Sequence, residues 1–163
     1  MKKFYINQRI FTFGDKYDIY DEQKNVAYYV SERLFTFGKQ FEVYHKTGRR
    51  VCYIKQKLFK FLPKYDLYMN DSIVATIHKK LSFIFSRYII ESRYGDFEIE
   101  GDFFAWNFKI TKGGKTICSV SKNFNFFKDK YEIIIADGID EVFALGLVII
   151  LDAIHHDGSN NNK

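Results

Sequence analysis

The sequence predicts an all-β protein with one helix: a closed antiparallel barrel of about twelve strands around a central, apolar C-terminal α-helix. Three observations lead there. The chain repeats itself: RIFTFGDKYDIY at 9–20 returns as RLFTFGKQFEVY at 33–44 and KLFKFLPKYDLY at 57–68, and a shortened KLSFIF starts at 80. These starts are 24, 24 and 23 residues apart, far too short for separate domains and right for strand-turn-strand units. Aromatic residues make up 19% of the chain and there is a single proline, a composition that suits strands. Finally, residues 142–151 carry no polar side chain, and ten consecutive residues go right round a helix, so this helix must be enclosed on all sides.

Each repeat reads as strand, turn, strand, bend. The first strand has the pattern aromatic-acid-aliphatic-Tyr: Tyr17-Asp18-Ile19-Tyr20, Phe41-Glu42-Val43-Tyr44, Tyr65-Asp66-Leu67-Tyr68. Side chains alternate across a strand, so Tyr17 and Ile19 and their equivalents face inward, and Asp18, Tyr20 and theirs face out. Polar clusters at 21–25, 46–49 and 70–72 mark the turns. The returning strand has the form small-x-aliphatic in Cys52/Ile54, Ala75/Ile77 and Cys118/Val120, with Tyr28/Val30 as a bulkier version. Small inward residues suit a wall that a helix approaches closely. A basic residue follows each of these strands: Arg33, Lys57, Lys80, Lys122. KNFNFFKDKYEI at 122–133 resembles a further copy with one residue inserted.

Later strands alternate without the full repeat. Phe97 and Ile99 share one face against Asp96, Glu98, Glu100 and Asp102 on the other. Trp106, Phe108 and Ile110 form an inward face, residues 112–115 (KGGK) a hairpin turn, and Tyr131, Ile133 and Ile135 the last inward face. The helix spans 140–156, DEVFALGLVIILDAIHH. Asp137 or Asp140 caps its start, Gly138 ends the preceding strand, His155 and His156 fall in its last turn, and Gly158 closes it. The apolar run is about half of the ~20 residues a bilayer crossing needs and has acids at both ends, so it reads as a core helix with no transmembrane span.

Length implies one domain, residues 1–157, followed by a disordered polar tail at 158–163. Two cysteines are too few for a disulfide framework, and the N-terminus lacks the continuous apolar region of a secretory signal. A reduced, cytoplasmic protein is expected. The net charge of +5 is unevenly distributed: residues 33–93 hold thirteen Lys or Arg against four acids, and residues 95–157 hold six against eleven. That asymmetry suits either a polarised surface or an ordinary solvated exterior.

The repeat, the small-x-aliphatic strands, the segment FEIEG at 97–101 and the apolar C-terminal helix together resemble the LURP-one-related family over about residues 2–157. That family belongs to the Tubby C-terminal-like superfamily, which also includes phospholipid scramblases. The resemblance implies a twelve-stranded antiparallel barrel around a central helix. It also implies a link to phosphoinositides or other anionic lipids, because Tubby domains bind them. No stretch here matches Tubby's lipid-contact residues one for one, so this link is an analogy of fold.

No pattern in the chain assembles an active site, and none calls for a cofactor. His155 and His156 are adjacent and lack the i, i+4 spacing of a helical metal pair. Cys52 and Cys118 sit at inward strand positions, as small core residues do. The acids at 96, 98, 100 and 102 read as a solvated face. Outward Tyr20, Tyr44 and Tyr68 beside basic residues have the ingredients of a nucleic-acid stacking platform, but tyrosine is also a good strand residue, and the nucleic-acid reading is disfavoured. Two readings remain: a non-enzymatic module docking on anionic lipid as a peripheral membrane protein, and a soluble protein-interaction domain. The candidate lipid site is Lys57, Lys60 and Lys64, in one bend and expected to be exposed, with Lys79 and Lys80 from the equivalent region of the next repeat. Arg49 and Arg50 belong to the opposite turns and are excluded.

Overall fold

The computed structural model describes residues 1–7, 16–58, 62–80, 87–103, 105–123 and 130–160. Among these residues are twelve strands: β1 (Lys2–Asn7), β2 (Lys16–Tyr20), β3 (Val26–Glu32), β4 (Gln40–His45), β5 (Arg50–Gln56), β6 (Lys64–Met69), β7 (Ser72–Lys80), β8 (Arg87–Ser92), β9 (Glu98–Asp102), β10 (Asn107–Lys112), β11 (Lys115–Asn123) and β12 (Lys130–Ile135). The helix, α1, is Glu141–Asn160. All strand pairs are antiparallel, in the order β8-β7-β6-β5-β4-β3-β2-β1-β12-β11-β10-β9. The two outer strands approach each other through one bridge, Ile90 to Phe97, so the barrel is nearly closed, with its seam between β8 and β9. Near-closure leaves little free edge for other strands to add to.

The repeat is visible as three like hairpins, β2–β3, β4–β5 and β6–β7. Each has a register shift at the same step of its first strand: Ile19/Tyr20, Val43/Tyr44 and Leu67/Tyr68. A bulge increases local twist, and one in every unit helps curl the sheet into a barrel. The expected inward positions of the repeat hairpins and of β11 and β12 are buried: Tyr17, Ile19, Val30, Phe41, Val43, Ile54, Tyr65, Leu67, Ile77, Val120 and Ile133; Ile99 is only partly so. On the outside, tyrosines from neighbouring strands pair across the ladder. Tyr29 stacks on Tyr44 at 5.0 Å and Tyr53 lies 5.7 Å from Tyr68, between residues in direct register. Tyr44 donates a hydrogen bond to Glu42 at 2.9 Å, so the aromatic-acid-aliphatic-Tyr motif is partly a small outer-face network.

The helix fills the barrel. Residues 143–154 of α1 are buried wherever they are apolar. Its closest strands are β5, β6 and β7. There Cys52 lies on β5, Ala75 of β7 stands opposite Leu67 of β6, and the helix itself presents Gly146 to Leu67. A Cβ on Gly146 would stand 2.7 and 2.9 Å from the two terminal methyls of Leu67. Cys52 and Ala75 therefore lie on strands that the helix approaches closely, whereas Cys118 lies on β11.

Asp140 is the N-cap: its carboxylate accepts from the Phe143 N–H at 3.0 Å, and its carbonyl accepts from the Ala144 N–H at 3.1 Å. Gly138 precedes it at φ +78°, a left-handed turn that glycine adopts without strain. Glu141 accepts hydrogen bonds from Lys2 and Tyr28, tying the helix start to β1 and β3. Burial works to raise the Glu141 carboxyl, but these two bonds and the Lys2 charge outweigh it and hold the pKa below the ordinary value. The N-terminal ammonium pairs with Asp137 at the same end.

Three details differ from expectation. The helix does not stop at Gly158 but runs on to Asn160. His155 consequently lies inside the helix, edge-on to Phe103 at 5.7 Å and Trp106 at 6.1 Å, and not at a terminus where it would meet the dipole. Strand β10 begins one residue after Trp106, which is buried at φ +55° in the turn before it.

Candidate functional site at the loop end of the barrel

The two ends of the barrel differ. One carries the helix N-terminus and the tight polar turns after β2, β4, β6 and β10. At the other, the chain passes from β1 to β2, β3 to β4, β5 to β6, β7 to β8, β9 to β10 and β11 to β12, as antiparallel connection requires. The C-terminal half of α1 points to this second end, hereafter the loop end.

Of the sequence-predicted lipid-site residues, Lys57, Lys64, Lys79 and Lys80 fall at strand ends that belong to the loop end. Lys57 directly follows β5 and Lys64 opens β6, and the Lys57 N–H donates to the Lys64 carbonyl at 2.8 Å. Lys79 and Lys80 are the last two residues of β7, the next strand over; their side chains, and the whole of Lys60, lie outside the described residues. One expectation is met with a qualification and one needs correction. Lys57 is exposed, yet its ammonium lies 3.0 Å from Asp66 Oδ2, and the hydrogen bond to Asp66 holds its pKa above the ordinary value. Lys64 is half-buried, not exposed. Asp66 does point outward, as alternation requires, but it is covered: it is 1% exposed, and the Thr76 hydroxyl donates to its other oxygen at 2.7 Å. Part of the Lys57 charge therefore serves the barrel wall.

The connection between β3 and β4, residues 33–39, is the fully described part of this end. The Arg33 N–H donates to the Gln40 carbonyl at 2.9 Å, the Lys39 N–H to Gln56 Oε1 at 2.9 Å, and the Gln56 N–H back to the Lys39 carbonyl at 2.8 Å. The Thr36 hydroxyl bonds the Gly38 carbonyl at 2.8 Å. Gly38, at φ +79°, lies so close to Leu58 that a Cβ there would stand 2.8 Å from its methyl. This pinned loop holds its apolar side chains outward: Phe35 is fully exposed, Phe37 is 88% exposed and Leu34 is 45% exposed. Reading the sequence by alternation alone misses these residues, because it assigns apolar side chains to the core. The signal was available in the repeat itself, where Leu-Phe-Thr-Phe-Gly falls between strands.

Elsewhere the chemistry is quieter. An outer-wall cleft of 530 Å³ is lined by Arg33, Arg50, Lys55, Tyr53, Tyr68 and Asp71. Arg50 is already held by Glu42 at 3.0 Å and Asp71 at 3.5 Å, which balances its charge. Cys52 and Cys118 are buried free thiols, and burial pushes each up to about 12, far from a reactive thiolate. Glu98, Glu100 and Asp102 are exposed, and among the described residues no group of three His, Cys, Asp or Glu could hold a metal ion. Asp152, inside the helix, is 1% exposed, and burial drives its carboxyl well above the ordinary value, opposed slightly by Lys39. Among the described residues no helix is long and apolar enough to cross a membrane.

The architecture thus defines a class: a nearly closed twelve-stranded antiparallel barrel built around its own C-terminal helix. The LURP-one-related family model matches residues 2–152, and the chain belongs to that family. A crystal structure of a protein from Arabidopsis thaliana has the same fold, with a TM-score of 0.67 over 94% of this chain and 90% of that one, at 13% sequence identity. No curated protein matches the sequence.

Proposed function

We propose that this protein is a non-enzymatic binding module that docks its loop end on an anionic membrane surface, as a peripheral protein on the cytoplasmic side. The observation that carries the reading is the convergence of basic residues on neighbouring strand ends. Lys57 and Lys64 are joined through their backbones, Lys79 and Lys80 end the adjacent strand, and Arg33 and Lys39 belong to the loop bonded to Gln56 at the end of β5. Each basic side chain near an anionic leaflet contributes about 1 kcal/mol, within a Debye length of about 8–10 Å. Several together give attachment that is useful and salt-sensitive. Membership of a barrel-forming family fits a binding role, and the phosphoinositide link of the wider superfamily supports an anionic headgroup as ligand.

The test is co-sedimentation with vesicles of phosphatidylcholine, with and without phosphatidylserine or a phosphoinositide, at low and high salt. A Lys60→Glu, Lys64→Glu, Lys80→Glu variant probes the site and leaves Lys57 in place, because reversing Lys57 would set a carboxylate against buried Asp66. Binding that needs anionic lipid, weakens with salt and falls in the variant is expected. A wild-type protein that ignores anionic vesicles at low salt, or a variant that binds equally well, would leave the protein-interaction reading in its place.

A further inference from the structure

Exposed phenylalanines on a hydrogen-bonded loop need a reason. Phe35 is fully exposed and stands at φ +58°, a left-handed conformation that glycine or asparagine adopts with less strain. A loop selected only to connect two strands would put a small or polar residue there. Here the loop instead holds Phe35 and Phe37 clear of the barrel, with Arg33 exposed at its base and Leu34 and Leu58 partly exposed beside it. The backbone bonds of Arg33, Lys39 and Gln56 and the contact of Gly38 with Leu58 hold the loop in that shape. The same sequence pattern, a basic residue followed by apolar and aromatic ones, occurs at 9–13, 57–61, 80–85 and 122–127. Of these stretches, only Lys57, Leu58, Lys80, Lys122 and Asn123 are among the described residues.

We infer that the 33–38 loop is an apolar wedge, which inserts Phe35 and Phe37 below the headgroups of an anionic bilayer while Arg33 stays at the phosphate level. The inference rests on the docking reading above and adds a second, chemically distinct contribution to it. The occupant is an anionic bilayer because this loop joins exposed rings at Phe35 and Phe37 to an exposed cation, Arg33, at its base, and a leaflet offers acyl chains behind phosphates. Electrostatic attachment is screened by salt, whereas the transfer of rings out of water is not. Two rings removed from water strengthen binding on the order of tenfold each, so the apolar part should persist at salt concentrations that remove the electrostatic part.

Two variants test it. Phe35→Trp places a reporter at the wedge, and wild type, whose single Trp106 is buried, is the control. With vesicles of phosphatidylcholine and phosphatidylserine, emission from the introduced indole should shift to the blue and be quenched by lipids brominated on the acyl chain, while wild-type emission stays unchanged. The double variant Phe35→Ala, Phe37→Ala should melt at the wild-type temperature, bind these vesicles about a hundredfold more weakly, and lose the salt-resistant fraction. A Phe35→Trp protein that co-sediments but remains unquenched would overturn insertion and leave docking standing. Failure of wild type to sediment would remove docking itself, and the wedge with it. A lipid-free wild-type dimer that the double alanine variant converts to monomer would assign the aromatic face to self-association and overturn the inference.

Discussion

Replacing Gly146 by alanine tests how closely the central helix approaches the barrel wall. In an open helix this change stabilises by about 1 kcal/mol, because glycine has the greater backbone entropy to lose. Here the added methyl would lie 2.7 and 2.9 Å from the Leu67 methyls, well inside contact distance. Leu67 is fully buried and cannot swing into solvent to make room. Overpacking of a filled core costs about 1–3 kcal/mol. The strain should therefore exceed the propensity gain, for a net loss of about 1 kcal/mol and a fall in Tm of ~2–4 °C. The partner variant Leu67→Ala should by itself cost about 2–5 kcal/mol. Together the two changes relieve one another, since the methyl added at position 146 occupies part of the space that Leu67 vacates. The double variant should then be about 1–2 kcal/mol more stable than the sum of the singles. Urea unfolding of the four proteins measures all of this, provided the m-values agree. A Gly146→Ala protein stabilised by the full helix propensity, with an additive cycle, would show that the helix is not seated against β6.

Two further outcomes follow from the same core. Burial raises the Asp152 carboxyl far above its usual range, so the folded state holds a proton that the unfolded state releases near pH 4. Its contribution is thus fully present below the unfolded pKa and is lost as pH rises towards the folded one, at no more than about 1.4 kcal/mol per pH unit. Asp152→Asn should flatten that fall and raise the Tm at pH 7, and thermal melts from pH 4 to 8 that run parallel in the two proteins would contradict it. Cys52 and Cys118 should resist a thiol reagent in the native protein at pH 8 and react on unfolding, since burial takes both thiols up to about 12. Alanine at either position should cost about 1 kcal/mol, and rapid native labelling would argue against the buried placement.

The barrel and its axis were written locally. Period-two alternation in Tyr17/Ile19, Phe41/Val43 and Tyr131/Ile133 fixes which face of a strand is wet, and ten apolar residues in a row leave a helix no wet face at all. The cap was readable down to Asp137 or Asp140, because capping depends on residues three apart in the chain, and the structure makes it Asp140. The loop end was only half legible. Chain order alone brings Lys57, Lys64, Lys79 and Lys80 to the same end, since consecutive antiparallel strands must turn there.

What each side chain does at that end was decided by neighbours distant in sequence. Asp66 meets Lys57 and Thr76 only because β5, β6 and β7 lie side by side in one register, and that contact turns an apparently free cation into a partner of a buried carboxylate. Asp66 and Asp18 occupy equivalent repeat positions, and nothing in the motif tells which will be covered. Phe35 and Phe37 are indistinguishable by type from core phenylalanines such as Phe41, and their exposure depends on backbone bonds to Gln40 and Gln56 that hold the loop outward. Patterning by residue type determined the fold of this chain because burial of a periodic face is a local property. The character of its loop end belongs to the tertiary structure, because pairing and exposure there depend on which strand comes to lie alongside.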